Sequence, residues 1–153
     1  MMMSEENPNQ PTLIIPRDDL KISENPKIME LFTATEEIIF SGELIKINKN
    51  KTKQKRNIVI TTESLYNLKD QNMLTSAFSM LGFGNLIKRR IKLEKITAII
   101  YGRLGNEFVI HVPDEFDYRI THPRKDQIIQ YILYALEKSN IVQLQFYFSA
   151  LIE

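Results

Sequence analysis

The chain has no cysteine among its 153 residues, which excludes disulfides, thiolate catalysis and cysteine-ligated zinc. That absence fits a reducing compartment. Its only histidines, His111 and His122, have no partners at metal-ligand spacing. No apolar run approaches the roughly 20 residues a membrane-spanning helix needs. Charge of one sign is also lacking. The 20 Lys and Arg nearly cancel the 19 Asp and Glu to leave +1, so no nucleic-acid partner is expected. Neither a nucleophile–base constellation nor a carboxylate pair stands out, and Asp114, Glu115 and Asp117 read as a solvated acidic loop. The chain is therefore expected to be no enzyme and to need no cofactor. Its opening MMMSEENPNQP is polar and acidic, unlike a secretory signal, and points to a cytoplasmic protein.

A composition of 43% hydrophobic and 25% charged residues is enough to bury a core, and the length suits one domain. Residues 1–16 read as a disordered tail and 17–153 as the domain. Within it, 17–36 form an arm with a short helix, 37–121 the strands, 123–139 a capping helix and 141–152 a closing segment. In ENPK, Asn25 is a natural N-cap and Pro26 a first helical residue, so a helix is expected from Pro26 to about Phe32.

Seven short β runs follow: 37–48 (with a bend expected at Gly42), 57–62, 64–69, 87–93, 96–102, 107–112 and 117–121. The period then changes. Ile128, Ile132, Ala135 and Leu136 recur at helical spacing, Ile129, Tyr131 and Leu133 widen the stripe, and Asn140 is a stop. Strands closed by one helix predict a mainly β fold: a pleckstrin-homology-like barrel of two orthogonal antiparallel sheets capped by a C-terminal helix.

The stretch KINKNKTKQKRNIVITT places Lys46, Lys49, Lys51, Lys53, Lys55 and Arg56 around one hairpin tip with no acid between them. Charges at a tip face water or a partner. A Lys or Arg near an anionic membrane leaflet contributes about 1 kcal/mol, so six give at most roughly 6 kcal/mol, enough for recruitment. Lys46 and Arg56, anchored by strand backbone, are expected to make the directed phosphate contacts, and Tyr66 to add a hydroxyl donor. The alternative is a lysine-rich loop that only keeps a hairpin soluble. In IKRRIKLEK, Lys88, Arg90 and Lys92 share one strand face that would extend the same surface, unless it is merely solvated. A nuclear-localisation role fits that cluster poorly, because Ile91 and Leu93 look like strand core. The apolar insert Met73–Phe83 has three possible destinations: lipid, a protein partner met through its methionines, or its own domain.

The blocks NPKIMELF, EEIIFSGELIKINKNKTKQKRNIVITTESLYNL, KRRIKLEKITAI and EFVIHVPDEFDYRIT resemble the tail homology one domain of class I myosins, from about Arg17 to the end. The resemblance implies a pleckstrin-homology-like fold that binds anionic membrane lipids, including phosphoinositides. Lys46 and Arg56 match the family's basic positions, while Gln54 stands where the family's Lys/Arg-x-Arg pattern has a cation. No motor and no light-chain helix are present in this sequence, so no motor activity is implied. A free-standing, peripherally membrane-associated module is expected, with an adaptor that binds protein through the 73–83 insert as the alternative.

Overall fold

The computed structural model describes residues 14–69, 86–141 and 144–149. The expected tail up to residue 13 and the Met73–Phe83 insert lie outside the described residues. The strands are β1 (Arg17–Asp18), β2 (Ile38–Ile47), β3 (Lys53–Thr61), β4 (Ser64–Leu68), β5 (Ile87–Lys92), β6 (Ala98–Gly102), β7 (Glu107–His111), β8 (Tyr118–Thr121) and β9 (Gln145–Ser149). The helices are α1 (Pro26–Met29) and α2 (Lys125–Lys138). Asn25 caps α1 as its sequence position predicts: its side chain accepts from the backbone N–H groups of Lys27 and Ile28. The helix is nonetheless only four residues long, and the chain turns before Phe32.

The strand order is β5-β4-β3-β2-β8-β7-β6-β9, with β1 added beside β2. The arrangement is mainly β with a C-terminal helix, as expected. β2 is the shared element: it pairs with β3 along its length and with β8 at Ile45 and Lys46. Among the described residues, two pairings are parallel rather than antiparallel. β1 reaches β2 through the arm, and β9 reaches β6 after the α2 crossover, and such long returns are what parallel pairing requires. The irregularity in β2 falls between Ile38 and Phe40, not at Gly42. Gly42 makes room instead, since a Cβ there would lie 2.6 Å from the Phe40 ring.

The main core fills the barrel and the underside of α2. Ile58, Ile60, Phe108, Ile110 and Val112 are inaccessible, as are Ile132 and Ala135 from the helix. The strict alternation of EFVIHV puts Phe108 and Ile110 inward and leaves His111 half-buried beside Asp117. On α2, Ile129 and Tyr131 extend the buried stripe, but Leu133 turns toward solvent. Lys125 anchors the start of α2: its ammonium is buried against the Tyr101 ring and donates to the carbonyls of Gly102 and Gly105.

A second core lies on the outer face of β3 and β4. There the arm residues Ile22, Ile28 and Phe32 cover Val59, Tyr66 and Leu68. Beside it sits a buried carboxylate. Glu36 accepts from Thr61 Oγ1 and from the Tyr66 hydroxyl, each at 2.5 Å, and from the Thr33 N–H at 3.2 Å. This corrects the expectation that Tyr66 offers a hydroxyl to a lipid. Alternation along β4 sends Leu65 and Asn67 into the barrel and Tyr66 out under the arm, where its hydroxyl is already used. Burial first, and then the bond to Glu36, raise the Tyr66 pKa well above that of a free phenol.

Glu36→Ala takes the acceptor from the buried Tyr66 hydroxyl and leaves Thr61 Oγ1 only the Ser64 carbonyl at 3.2 Å, and should cost about 3 kcal/mol, against about 1–2 kcal/mol for Tyr66→Phe. Urea unfolding of both variants measures the difference. A loss below about 0.5 kcal/mol for Glu36→Ala would show that the arm is not held by this carboxylate.

Candidate functional site

The sequence places cations around a hairpin, and strand register decides which of them meet. Paired residues across a sheet share a face. Lys46 pairs with Gln54 on one side and Ile120 on the other, and Arg56 pairs with Leu44. Leu44 and Ile120 are core residues, so Lys46 and Arg56 both lie on the inner face, at the barrel's open end. Lys53 and Lys55 pair with Ile47 and Ile45, on the opposite face, and Lys55 lies 3.8 Å from Glu43. Neither belongs to a flexible tip, because β3 begins at Lys53.

The tip itself is short and organised. Asn48 Oδ1 accepts from the N–H groups of Asn50 and Thr52, and Lys51 adopts a left-handed backbone at φ 61°. Lys49 leans over the Phe116 ring, 4.2 Å from its centroid. Phe116 is 70% exposed, a large apolar side chain beside the cationic tip. Lys46, Lys49, Lys51, Arg89, Phe116, Arg119 and one acid, Asp117, line a cavity of about 490 Å³ at this mouth.

The second basic cluster divides differently from the expected grouping of Lys88, Arg90 and Lys92. Asn67 pairs with Arg89 and Leu68 with Ile87, so Lys88 is the extra residue of a bulge. Arg89 faces the interior because it alternates with core Ile91, and Arg90 faces outward; the bulge turns Ile87, not Arg89, to the other face. Arg90 packs over the Tyr66 ring and donates to Ser64 Oγ, away from the mouth, so it is not part of the cation group at Lys46. Lys88 stays with the mouth, near enough to act electrostatically on Lys46.

Five neighbouring strands thus each contribute one inward polar side chain: Arg89 from β5, Asn67 from β4, Arg56 from β3, Lys46 from β2 and Tyr118 from β8. Lys46 and Arg89 lie over the Tyr118 ring, at 5.5 and 5.2 Å from its centroid. Gln54 holds the Arg56 guanidinium by accepting from Nη2 at 2.9 Å, while Nη1 donates to the Lys55 carbonyl. The family's missing cation is thereby replaced by an acceptor that fixes its neighbour. Burial, then the charges of Arg56, Arg89 and Lys88, lower the Lys46 pKa. Burial raises the Tyr118 phenol to about 12, against the opposing pull of Arg89 and Arg56.

One carboxylate enters this group. Glu115 Oε2 lies 3.2 Å from Arg89 Nη2, which also donates to the Phe116 carbonyl. Asp114 and Asp117 are turned to Lys95 and His111 instead. Among the described residues, no acid forms an ion pair with Lys46, Lys49, Lys51, Lys53, Arg56 or Lys88. No described helix is long and apolar enough to cross a membrane, and no described group of three His, Cys, Asp or Glu is placed to hold a metal.

Sequence reasoning missed Arg89, Asn67, Tyr118 and Phe116. The alternation of Tyr118 with core Ile120 was a usable signal. So was the alternation of Arg89 with core Ile91, whereas the bulge at Lys88 left none.

A barrel of this topology with a cationic mouth and a C-terminal capping helix is a pleckstrin-homology-like domain. Solved structures bear out the fold. The hSac2 domain of the human phosphoinositide phosphatase Sac2 aligns with TM-score 0.53 at 12% identity, covering 84% of this chain and 87% of that one. The Slm1 PH domain in complex with inositol-4-phosphate aligns with TM-score 0.50 at 14% identity, covering 67% and 97%. The DH/PH domain of human ARHGEF11, solved with RhoA and its inhibitor, aligns with TM-score 0.51 at 17% identity, and the match covers 82% of this chain but 37% of that longer one. No curated protein matches the chain. A family model described as "unconventional myosin tail, actin- and lipid-binding" matches residues 17–153, and the chain belongs to that family.

The crowding of like charge has a direct consequence. Lys46 should titrate below an ordinary lysine, and Arg56→Gln, which removes a neighbouring positive charge, should raise its pKa. Heteronuclear NMR of the lysine side-chain resonances across an alkaline titration measures both. An ordinary or elevated Lys46 pKa would mean that the cations do not converge in solution.

Proposed function

We propose that the chain is a non-catalytic peripheral membrane module, residues 17–153 acting as one unit, that binds anionic phospholipids and in particular phosphoinositides through the barrel mouth. The carrying observation is that Lys46 and Arg89, from separate strands, lie over one buried ring, Tyr118, while Arg56 faces the same interior from a strand between them. Grouping like charges is costly without a partner, and a phosphate offsets that cost. Arg56, held by Gln54 and by backbone, presents a bidentate donor, and Lys46 adds a point charge. The family description and the inositol phosphate bound to the Slm1 domain support the same reading.

The surroundings of the mouth suit a bilayer. Lys49, Lys51 and Lys88 face the headgroup layer as diffuse charge, and exposed Phe116 has an apolar ring to place among the acyl carbons. Lys53 and Lys55, on the outer face, add to the long-range field without touching the bound headgroup. The family's actin-binding description supports a protein-binding second reading; the Met73–Phe83 insert once assigned to such a role lies outside the described residues.

Liposome co-sedimentation with rising phosphatidylserine and phosphoinositide content tests the proposal. Lys46→Ala/Arg56→Ala should weaken binding at least about tenfold, and raising salt should weaken the parent chain. Binding unaffected by the double substitution and by phosphoinositide would favour the protein-binding alternative. Glu115→Gln should act in the opposite direction. It frees Arg89 for the lipid, and one added cation contributes about 1 kcal/mol, so affinity should rise roughly fivefold. Weaker binding would show that Glu115 positions Arg89 rather than competing for it.

A further inference from the structure

Among the described residues, two buried side-chain polar atoms have no hydrogen-bond partner: Asn67 Oδ1 and Tyr118 Oη. Both belong to the inward arc that carries Lys46, Arg56 and Arg89. Asn67 is 4% exposed and Tyr118 is inaccessible, so water does not satisfy them from outside. Buried polar groups are nearly always paired, and an unpaired one costs stability. Two unpaired atoms in one arc beneath a set of cations need a common reason.

Their chemistry is complementary. Tyr118 Oη is a donor, next to Lys46 and Arg89 and within electrostatic range of Arg56. Its raised pKa keeps the proton on the oxygen across physiological pH. Asn67 Oδ1 is an acceptor, on the strand paired with Arg89. A bare phosphate dianion has no proton for an acceptor, so it would leave Asn67 unsatisfied. A phosphate carried on a hydroxylated ring brings both functions at once: oxygens for the cations and the phenol, and a hydroxyl for the carboxamide.

We infer that Tyr118 and Asn67 form the floor of the headgroup pocket and select a phosphorylated polyol headgroup over other anionic headgroups. Tyr118 donates to the phosphate, and Asn67 accepts from a ring hydroxyl. The inference rests on the membrane reading above and specifies its ligand. Lys46 and Arg89 lie over the Tyr118 ring, so a phosphate they bind is brought beside the hydroxyl. Lys46 has no acid partner among the described residues to leave, while Arg89 must first leave Glu115.

The test uses the full chain, soluble inositol-4-phosphate by calorimetry, and vesicles containing phosphatidylserine or phosphatidylinositol 4-phosphate. Tyr118→Phe should lower the preference for the inositol headgroup over phosphatidylserine about tenfold, the effect of one charge-assisted hydrogen bond, and Asn67→Leu about fivefold, that of a neutral one. Tyr118→Phe should also hold or raise the melting temperature, because it removes an unpaired buried hydroxyl. A role in packing alone would not give that combination. An unchanged preference in Tyr118→Phe overturns the inference, as does a melting temperature lowered by several degrees, which would reveal a partner for the hydroxyl. A parent chain that binds phosphatidylserine vesicles but shows no preference for inositol-4-phosphate overturns the floor and leaves the membrane reading standing. If the parent chain binds neither vesicle, both fail.

Discussion

The double role of β2 governs everything at the mouth. Because β2 pairs with β3 on one edge and with β8 on the other, Lys46 is brought between Arg56 and Tyr118. The same continuity carries β4 and β5 round until Arg89 meets the Tyr118 ring from the far side. No local propensity would assemble these residues, since a free chain would separate like charges. The hydrophobic core does the work. Ile58, Ile60, Phe108 and Ile110 fix the register, and register admits no slip without turning every side chain to the wrong face. The cations are carried into proximity by residues that never touch a ligand.

How much of this the sequence disclosed depends on what kind of signal each residue rests on. Periodicity and capping are local, so α1's cap at Asn25, the buried stripe of α2 and the alternation around His111 could be read directly. Lys46 and Arg56 could be read as strand-anchored cations flanking one hairpin, but not as an inward pair, because Lys46 alternates with apolar Ile45 and Ile47 and only its pairing with Ile120 shows which face is inner. Arg89 and Arg90 receive the wrong roles from the sequence although alternation places them: Arg89 shares the face of core Ile91, and the extra residue at Lys88, which nothing in IKRRIKL announces, alters only where Ile87 and Lys88 lie. Tyr66 failed for a related reason. Its alternation was plain, but the outer face of β4 is no surface here, since the arm covers it. That cover is a long-range contact, with Ile28 and Tyr66 far apart along the chain, and composition carries no trace of it. Gln54 could be read as a lost cation from sequence, and only the geometry shows it gripping Arg56.

Two polar clusters among the described residues make an informative contrast. Glu36, Thr61 and Tyr66 are buried and fully engaged with one another, as a network that tethers an arm should be. Asn67 and Tyr118 are buried just as deeply, with their key atoms unpaired. Chain topology does not explain the difference, because both clusters sit on the same sheet, on opposite faces of β4. The paired cluster adds stability. The unpaired one gives stability up, in the place where like charges already repel.

Glu115 then takes on a definite meaning. It sits on the loop between β7 and β8, at the rim of the mouth, and reaches Arg89 although Lys46 and Arg56 lie in the same group without an acid partner. Full neutralisation of the mouth would abolish its pull on an anion. One acid on one of three inward cations occupies Arg89 until a stronger anion displaces it, and leaves the net field positive. The exchange of Glu115 for a phosphate trades one anion for another of higher charge, so it is favourable where phosphate is dense and unfavourable in bulk water. The threshold for docking is therefore set by local anionic density and by salt rather than by the affinity of any single contact.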